Sequence, residues 1–313
     1  MQQYAASEMV EYAAEGRLTR RELLVRLVGI CGSATAAAAF LAACSSDGSS
    51  KSASSTTAST TKVRTTDPTS ITPPTTTGPN ATLSVAADDP AISAKEVEFP
   101  GPAGTMFGYY AEPVNGGPTA GVIVIHEIFG LTDHIRDVAR RVAKAGYLAL
   151  APDLASRAGG SKTATNIPGA LTGGSVDDRV ADLQASAAYL EAQPDYNGKL
   201  GAVGFCFGGG MTLSFAAAEP KLQAAVPYYG PTPDPASVMS ATKAAILAHY
   251  GADDARVDAG IPALEAALAG KTFEKHLYAG AGHAFNNDTG PAYNEAAAVE
   301  AWGRTLAWFK RYL

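Results

Sequence analysis

A single cysteine stands among four glycines in the segment GFCFGGG, residues 204–210. An apolar run, KLGAVGF (199–205), leads into Cys206, and an apolar helical pattern, GGMTLSFAAA (209–218), follows it. A strand, a sharp turn and a helix, with glycines two residues before and after the central side chain, is the pattern of a nucleophile elbow. Glycines suit this turn because the strand and the helix approach closely there. The spacing alone leaves two interpretations open, a cysteine packed at a turn and a catalytic nucleophile.

A thiol nucleophile of this architecture needs an acid and then a histidine further along the chain. The acid can come from Asp253 or Asp254, which follow the apolar run AAILAHYG (244–251). The histidine can be His283, which follows another predicted strand in the segment AGHAF. Because the carboxyl ends of parallel strands meet at one edge of a sheet, these side chains are expected near Cys206. The order of the residues therefore predicts a Cys-His-Asp triad.

The segment HEIFGL (126–131) ends another apolar run and opens a loop before a helical pattern. In this architecture such a loop supplies the second oxyanion donor, and the residue after the nucleophile supplies the first. We therefore expect the backbone N–H groups of Ile128 and Phe207 to form an oxyanion hole. Glu127 follows residues expected to be buried, which leaves a chemical role and a purely structural role open.

Apolar runs and amphipathic segments alternate along the rest of this region, which predicts a largely parallel sheet with helices on both faces. The predicted parallel strands cover 121–126, 147–152, 199–205, 224–230, 244–251 and 273–280. The predicted helices cover 132–146, 176–194, 209–218, 257–270 and 291–313. Two further segments, KEVEF (95–99) and MFGYYAE (106–112), are expected to form a leading antiparallel pair.

The N-terminal part of the chain has the order of an export signal. Adjacent Arg20 and Arg21 precede an apolar stretch, residues 27–43, that ends at Cys44. The arginine pair resembles a twin-arginine signal, and LAAC resembles a lipoprotein lipobox, which implies cleavage before Cys44 and lipid on its sulfur. The alternative is an uncleaved N-terminal membrane anchor. We accordingly expect a signal over 1–44 and an exported protein tethered to a bacterial cell membrane.

Composition divides the remaining chain and limits its partners. Residues 45–90 are rich in Ser, Thr and Pro, which predicts a disordered tether, and residues 91–313 are expected to form one domain. The net charge of −6 provides no basic face for nucleic acid. No Cys/His cluster has metal-ligand spacing, so neither metal nor organic cofactor is expected. Cys206 is the only cysteine of the domain, so the domain has no internal disulfide. The domain is expected to be a monomer that acts on a small molecule.

Five motifs together resemble the dienelactone hydrolases (carboxymethylenebutenolidases) over residues 95–313. They are HEIFG, APDL with a downstream arginine, GFCFGG, YGADD and GAGHAFNND. The resemblance implies an α/β-hydrolase fold and a triad of Cys206, His283 and Asp254. Asp254 is preferred because the family places the acid three residues after the glycine, with Asp253 as the alternative. The resemblance also implies that Glu127 holds the resting thiol until substrate binds.

The family binds a substrate carboxylate with two arginines, and the chain matches only one of these positions. Arg157 matches the first, whereas Asn286 and Asn287 stand where the second is expected. We expect Arg157 and Asn287 to contact substrate. Without the second arginine, however, the bidentate binding of an acidic lactone should be weaker than in the family. The resulting hypothesis is a hydrolase of small esters or lactones that acts through a thioester. The alternatives are a broad-specificity carboxylesterase and a non-catalytic, lipid-anchored binding domain on the same fold.

Overall fold

The computed structural model describes residues 2–14, 18–31, 33–46 and 83–313. Residues 47–82, most of the predicted tether, lie outside the described residues. The final residues of the predicted tether are packed on the domain. Val85 is buried, and its backbone N–H donates to Asp137 Oδ1 at 2.7 Å. Burial of the apolar Val85 side chain and this backbone hydrogen bond place the start of the packed chain before residue 91.

The core of the fold is an eight-stranded sheet in the order β1-β2-β4-β3-β5-β6-β7-β8. The strands are β1 (Ile92–Gly101), β2 (Gly104–Pro113), β3 (Thr119–Ile125), β4 (Leu148–Pro152), β5 (Tyr196–Phe205), β6 (Leu222–Tyr228), β7 (Ala245–Gly251) and β8 (Phe273–Tyr278). Strands β3 to β8 are mutually parallel, whereas β2 pairs antiparallel with both β1 and β4. The predicted α/β-hydrolase architecture is confirmed.

Helices surround the sheet, and two short 3₁₀ helices, Ser156–Ala158 and Ala236–Ala241, lie in its loops. The α-helices are α1 (Gln2–Ala14), α2 (Arg20–Cys31), α3 (Ala34–Ser46), α4 (Asp133–Lys144), α5 (Ile167–Thr172), α6 (Val176–Glu191), α7 (Phe207–Ala218), α8 (Ala255–Asp258), α9 (Ile261–Ala267) and α10 (Glu295–Tyr312). Every residue of β4 and β7 is buried, as expected for strands covered on both faces.

One predicted helix is divided in two. The segment expected to form one helix over 257–270 instead includes the end of α8 and the whole of α9. Pro262 stands at the start of α9, where its missing N–H is tolerated, but it cannot donate the hydrogen bond to the carbonyl of residue 258 that a continuous helix would need. The break therefore follows from the proline.

The N-terminal segment contains the three helices α1 to α3, and α1 was not predicted from the sequence. Ala6, Met9 and Tyr12 of α1 are buried. Among the described residues, no single helix is long and apolar enough to cross a membrane. The pair Arg20–Cys31 and Ala34–Leu41, bent by 113°, meets the length and composition of a span only when taken together.

A buried ionic network fixes the loop after β8 to α4. Asp288 accepts from His134 Nδ1 at 2.9 Å and also pairs with Arg141, which in turn pairs with Asp137. Burial by itself would raise the pKa of Asp288, but the contacts with His134 and Arg141 lower it to about 2. The folded state therefore holds this carboxylate ionised and anchors the loop that follows His283.

Replacing the network carboxylate is expected to destabilise the domain. Asp288→Asn leaves Arg141 only partly paired, so the free energy of unfolding should fall by about 3 kcal/mol at pH 7. Because the folded pKa lies below the ordinary value, this contribution is present above pH ~4 and is lost as the pH falls towards 2. Urea unfolding at pH 7 and pH 3 should show the difference shrinking in acid. Asp133→Asn, an exposed change in α4, is the control, and an equal effect of both variants would contradict the prediction.

Candidate active site

Cys206 occupies a strained turn between β5 and α7. Its backbone angles are φ 56° and ψ −118°, a region that residues with a Cβ rarely adopt. Two backbone hydrogen bonds hold the turn, from Cys206 N to Tyr228 O at 3.0 Å and from Gly210 N to Cys206 O at 3.1 Å. The turn projects the thiol from the carboxyl end of a central strand, as the elbow pattern requires.

Gly204 allows β5 to pack against α7 at this turn, and Gly208 allows α7 to pack against the end of β3. A Cβ atom on Gly204 would lie 2.2 Å from Gly208 O, and one on Gly208 would lie 2.2 Å from Ile125 O. These distances are far shorter than any van der Waals contact, so neither position can carry a side chain without movement of the backbone. Gly204 and Gly208, which flank the thiol two residues before and after it, are therefore explained by close packing.

The structure pairs His283 with Asp254. His283 Nδ1 lies 2.5 Å from Asp254 Oδ2, and both side chains are buried. The other carboxylate oxygen, Asp254 Oδ1, accepts from Val257 N at 3.3 Å in the first turn of α8. Asp253, the alternative acid, is exposed. Each member of the pair follows a parallel strand, Asp254 after β7 and His283 after β8.

A third chemical group, Glu8 of α1, completes a buried cluster with Cys206 and His283. The Cys206 thiol donates to Glu8 Oε1 at 2.5 Å, and the same oxygen lies 3.4 Å from His283 Nε2. The three ligand-type atoms lie within 4.8 Å of one another, and Glu8 and Cys206 are completely buried. Among the described residues, this is the one group of three side chains with the spacing of a metal site.

The charges of this cluster favour one protonation state. Burial alone would raise the pKa of Glu8, but the charge and hydrogen bond of His283, with smaller contributions from Arg256 and Cys206, lower it to about 2. Burial alone would lower the pKa of His283, but its contact with Asp254 and those with the cluster raise it well above the usual range. Burial and then the negative charge of Glu8 raise the pKa of Cys206 to about 12. The directions of these three pKa shifts together favour a carboxylate, an imidazolium and a neutral thiol.

Glu127 does not make the contact with the thiol that the family resemblance implied. Its Oε2 accepts from Asn287 Nδ2 at 2.7 Å, so it ties the loop after β3 to the loop after β8. The carboxylate at the sulfur in this conformation is that of Glu8. Glu127 still acts on the thiol through its charge, because it contributes to the raised pKa of Cys206.

The two residues expected to form the oxyanion hole lie at the same edge of the sheet. Phe207 is the first residue of α7, so its N–H has no acceptor within the helix, and Ile128 is buried in the loop after β3. His126 fixes that loop, since its Nδ1 lies 2.7 Å from Glu127 O and its Nε2 accepts from Leu154 N at 3.0 Å. Burial lowers the pKa of His126, which suits this structural role as a neutral ring.

Arg157 is engaged by other side chains. Its guanidinium donates to both carboxylate oxygens of Asp182, at 2.9 and 3.0 Å, and pairs with Asp178. Asn286 and Asn287 are buried beside the His283 loop. Arg157 as a substrate contact therefore stays a prediction, which requires the guanidinium to leave this pairing. Cys44 lies in α3, and its side chain is outside the described structure.

Sequence reasoning missed Glu8 and a second charge, Arg256. Arg256 lies in α8, two residues after Asp254, and its charge helps to lower the pKa of Glu8. It also lines a cavity of about 870 Å³, together with Ser7 of α1 and Gly210 of α7. The position of Arg256 beside the acid could be read from the sequence, whereas nothing in the sequence connects Glu8 to Cys206.

The strand order, the sharp turn at Cys206 and the His283–Asp254 pair together define an α/β-hydrolase. Residues 106–313 match the profile of the "Dienelactone hydrolase family". The chain is 38% identical over 251 residues to a "Putative carboxymethylenebutenolidase" of Escherichia coli K12, covering 75% of this chain and 93% of that protein. A protein of the same description from Methylorubrum extorquens is 36% identical over 249 residues, covering 74% of this chain and 86% of the relative.

A solved structure leads to the same group of proteins. The crystal structure of "Putative Dienelactone Hydrolase" from Klebsiella pneumoniae superposes with a TM-score of 0.66 at 36% identity, covering 71% of this chain and all of that one. The chain belongs to the dienelactone hydrolase family and is a hydrolase.

The close packing at the elbow generates a stability prediction. Gly208→Ala should lower the free energy of unfolding by about 3 kcal/mol, because the new Cβ collides with the Ile125 carbonyl. Gly303→Ala is the control, since a Cβ there meets nothing within 4 Å and the glycine lies inside α10. That substitution should raise stability by about 0.5–1 kcal/mol. Urea unfolding measures both, and a tolerated Gly208→Ala would contradict the packing argument.

Proposed function

We propose that the chain hydrolyses small esters or lactones with Cys206 as nucleophile, His283 as base and Asp254 as the orienting acid. The observation that carries this proposal is the 2.5 Å contact of His283 Nδ1 with Asp254, which leaves Nε2 on the side of the strained Cys206 elbow. Asp254 fixes the tautomer of the ring and stabilises the imidazolium that forms during the reaction.

The reaction takes place in two halves. Once Glu8 has left the sulfur, His283 Nε2 takes the thiol proton and Sγ attacks the carbonyl carbon. The N–H groups of Ile128 and Phe207 stabilise the oxyanion, and the alcohol leaves with the proton from His283. Water then attacks the thioester with His283 as base, and the carboxylic acid and the free thiol are released.

A cavity adjoins the proposed site. It has a volume of about 870 Å³ and is lined by Ser7, Gly210 and Arg256, and we propose that it receives the acyl or alcohol group once Glu8 has withdrawn. The relatives named carboxymethylenebutenolidase favour a lactone substrate. Arg157 and Asn287 remain the proposed polar contacts to substrate. A broad carboxylesterase is the alternative within enzymes, and comparing enol-lactones with simple acetate esters separates the two.

Removing the thiol should abolish turnover. Cys206→Ala should lower kcat/KM for p-nitrophenyl acetate by at least about 1,000-fold, because the covalent step is lost. Because Glu8 covers the nucleophile, the assay is made in the wild-type background and in a Glu8→Ala background. Mass spectrometry should find the acetyl group on the peptide that contains Cys206.

The matched control is Cys31→Ala, which removes a free, half-buried cysteine of α2. It should leave hydrolysis unchanged. Hydrolysis by Cys206→Ala as fast as by its parent in both backgrounds would reject the thiol mechanism. If the parent protein hydrolyses no ester in either background, the result would favour the alternative of a non-catalytic binding domain.

We also propose that the chain is exported and held at the membrane by lipid on Cys44. Arg20 and Arg21 are exposed at the start of α2, as a recognition signal requires. Cys44→Ala should release the protein from the membrane fraction or leave an unprocessed precursor, whereas Cys31→Ala should remain membrane-bound. Cell fractionation followed by immunoblotting provides the measurement. Wild-type protein found wholly in the soluble cytoplasm would contradict this proposal.

A further inference from the structure

Helix α1 covers the proposed nucleophile completely. Glu8, Cys206 and His283 are all buried, although they lie in a region where a substrate must enter. Ala6 and Met9 of α1 are buried beside Glu8, and the ring of Tyr12 packs on Phe129 with centroids 5.0 Å apart. Phe129 belongs to the loop after β3 that carries Ile128. The helix therefore fills the entrance to the site and contacts its oxyanion loop.

We propose that residues 2–14 are an inhibitor in cis, in which the Glu8 carboxylate occupies the position of the carboxylate that ester hydrolysis produces. A product carboxylate released from a thioester lies between the sulfur and the imidazole. Glu8 Oε1 has this position, 2.5 Å from Cys206 Sγ and 3.4 Å from His283 Nε2. The ligand class of this position is therefore a carboxylate, supplied here by the chain itself.

The charge state of the docked cluster blocks both reacting groups. The thiol proton is donated to Glu8, and the ion pair with Glu8 favours a protonated His283 that cannot act as a base. Arg256 adds positive charge near the same carboxylate, which further favours docking of Glu8 in its ionised form. Chemistry can begin only after Glu8 has withdrawn.

The N-terminal segment is joined to the domain by further contacts. The guanidinium of Arg26 in α2 lies over the ring of Phe129, 5.2 Å from its centroid. Gly29 approaches Asn166 so closely that a Cβ on the glycine would lie 1.8 Å from its side-chain nitrogen. Cleavage before Cys44, the processing proposed above, would remove α1 and expose Cys206. Activity would then appear together with removal of the leader.

An opposite role for Glu8 makes a different prediction. A carboxylate beside the sulfur could be a permanent general base that activates the water of deacylation. Removing it would then lower ester turnover, whereas removing an inhibitor raises it. The direction of the change in turnover therefore separates the two roles.

The experiment measures the accessibility of Cys206 in the full chain. Wild type, Glu8→Ala and Glu8→Gln are treated with iodoacetamide at pH 7, and labelling is followed on the tryptic peptide between Lys199 and Lys221. We expect Glu8→Ala to be labelled at least tenfold faster than wild type and to hydrolyse p-nitrophenyl acetate at least tenfold faster. Glu8→Gln keeps the shape but loses the ion pair, so its rates should be intermediate.

A second variant and a control keep the test decisive. Met9→Asp places a charge on the buried face of α1 without changing Glu8, and it should raise labelling as Glu8→Ala does. Glu22→Ala, an exposed carboxylate of α2 that accepts from Thr19, should change neither rate more than twofold. Circular dichroism shows that each variant is folded.

The expected rise in ester turnover rests on the proposed thiol hydrolase, whereas the expected rise in labelling does not. The outcomes therefore separate inhibition by α1 from hydrolysis by Cys206. Unchanged labelling in Glu8→Ala and Met9→Asp would overturn the inhibitor. A fall in turnover in Glu8→Ala would also overturn it and assign Glu8 to catalysis. Faster labelling without ester hydrolysis in any variant would support docking by α1 and would reject the proposed thiol hydrolase.

Discussion

The close approach of β5 and α7 is the constraint on which the site depends. Gly204 leaves no room for a side chain where β5 meets α7, and Gly208 leaves none where α7 meets the end of β3. Between these two contacts, Cys206 has a backbone conformation with positive φ. A thiol in that conformation stands above the carboxyl edge of the sheet. The parallel order of the neighbouring strands then brings the residues that follow β3, β7 and β8 to the same edge.

Polar contacts between loops fix these residues in place. Glu127 joins the loop after β3 to the loop after β8 through Asn287, and Asp288 joins that second loop to α4. Each contact is buried, so loss of one partner would leave the other polar group unsatisfied. The site is therefore held by interactions among loops as well as by the sheet beneath them.

The sheet could be predicted from the sequence because its strands are continuous apolar runs bounded by turn residues. The order of Cys206, Asp254 and His283 could be predicted because each follows such a run. The partners of Arg157 could not be predicted, since Asp182 approaches it only through the packing of α6 on the sheet. Local pattern determines where a strand ends, whereas side-chain pairing between elements depends on their three-dimensional packing.

Glu8 is the extreme case, because its contact with Cys206 joins residues 198 positions apart. Its effect on the thiol is electrostatic as well as steric. The same negative charge that fills the substrate position helps to raise the pKa of Cys206, so the covered sulfur is held as a thiol. Oxidation and alkylation require an accessible thiolate. A helix that excludes substrate through this carboxylate therefore also protects the nucleophile, because both effects arise from one buried negative charge beside the sulfur.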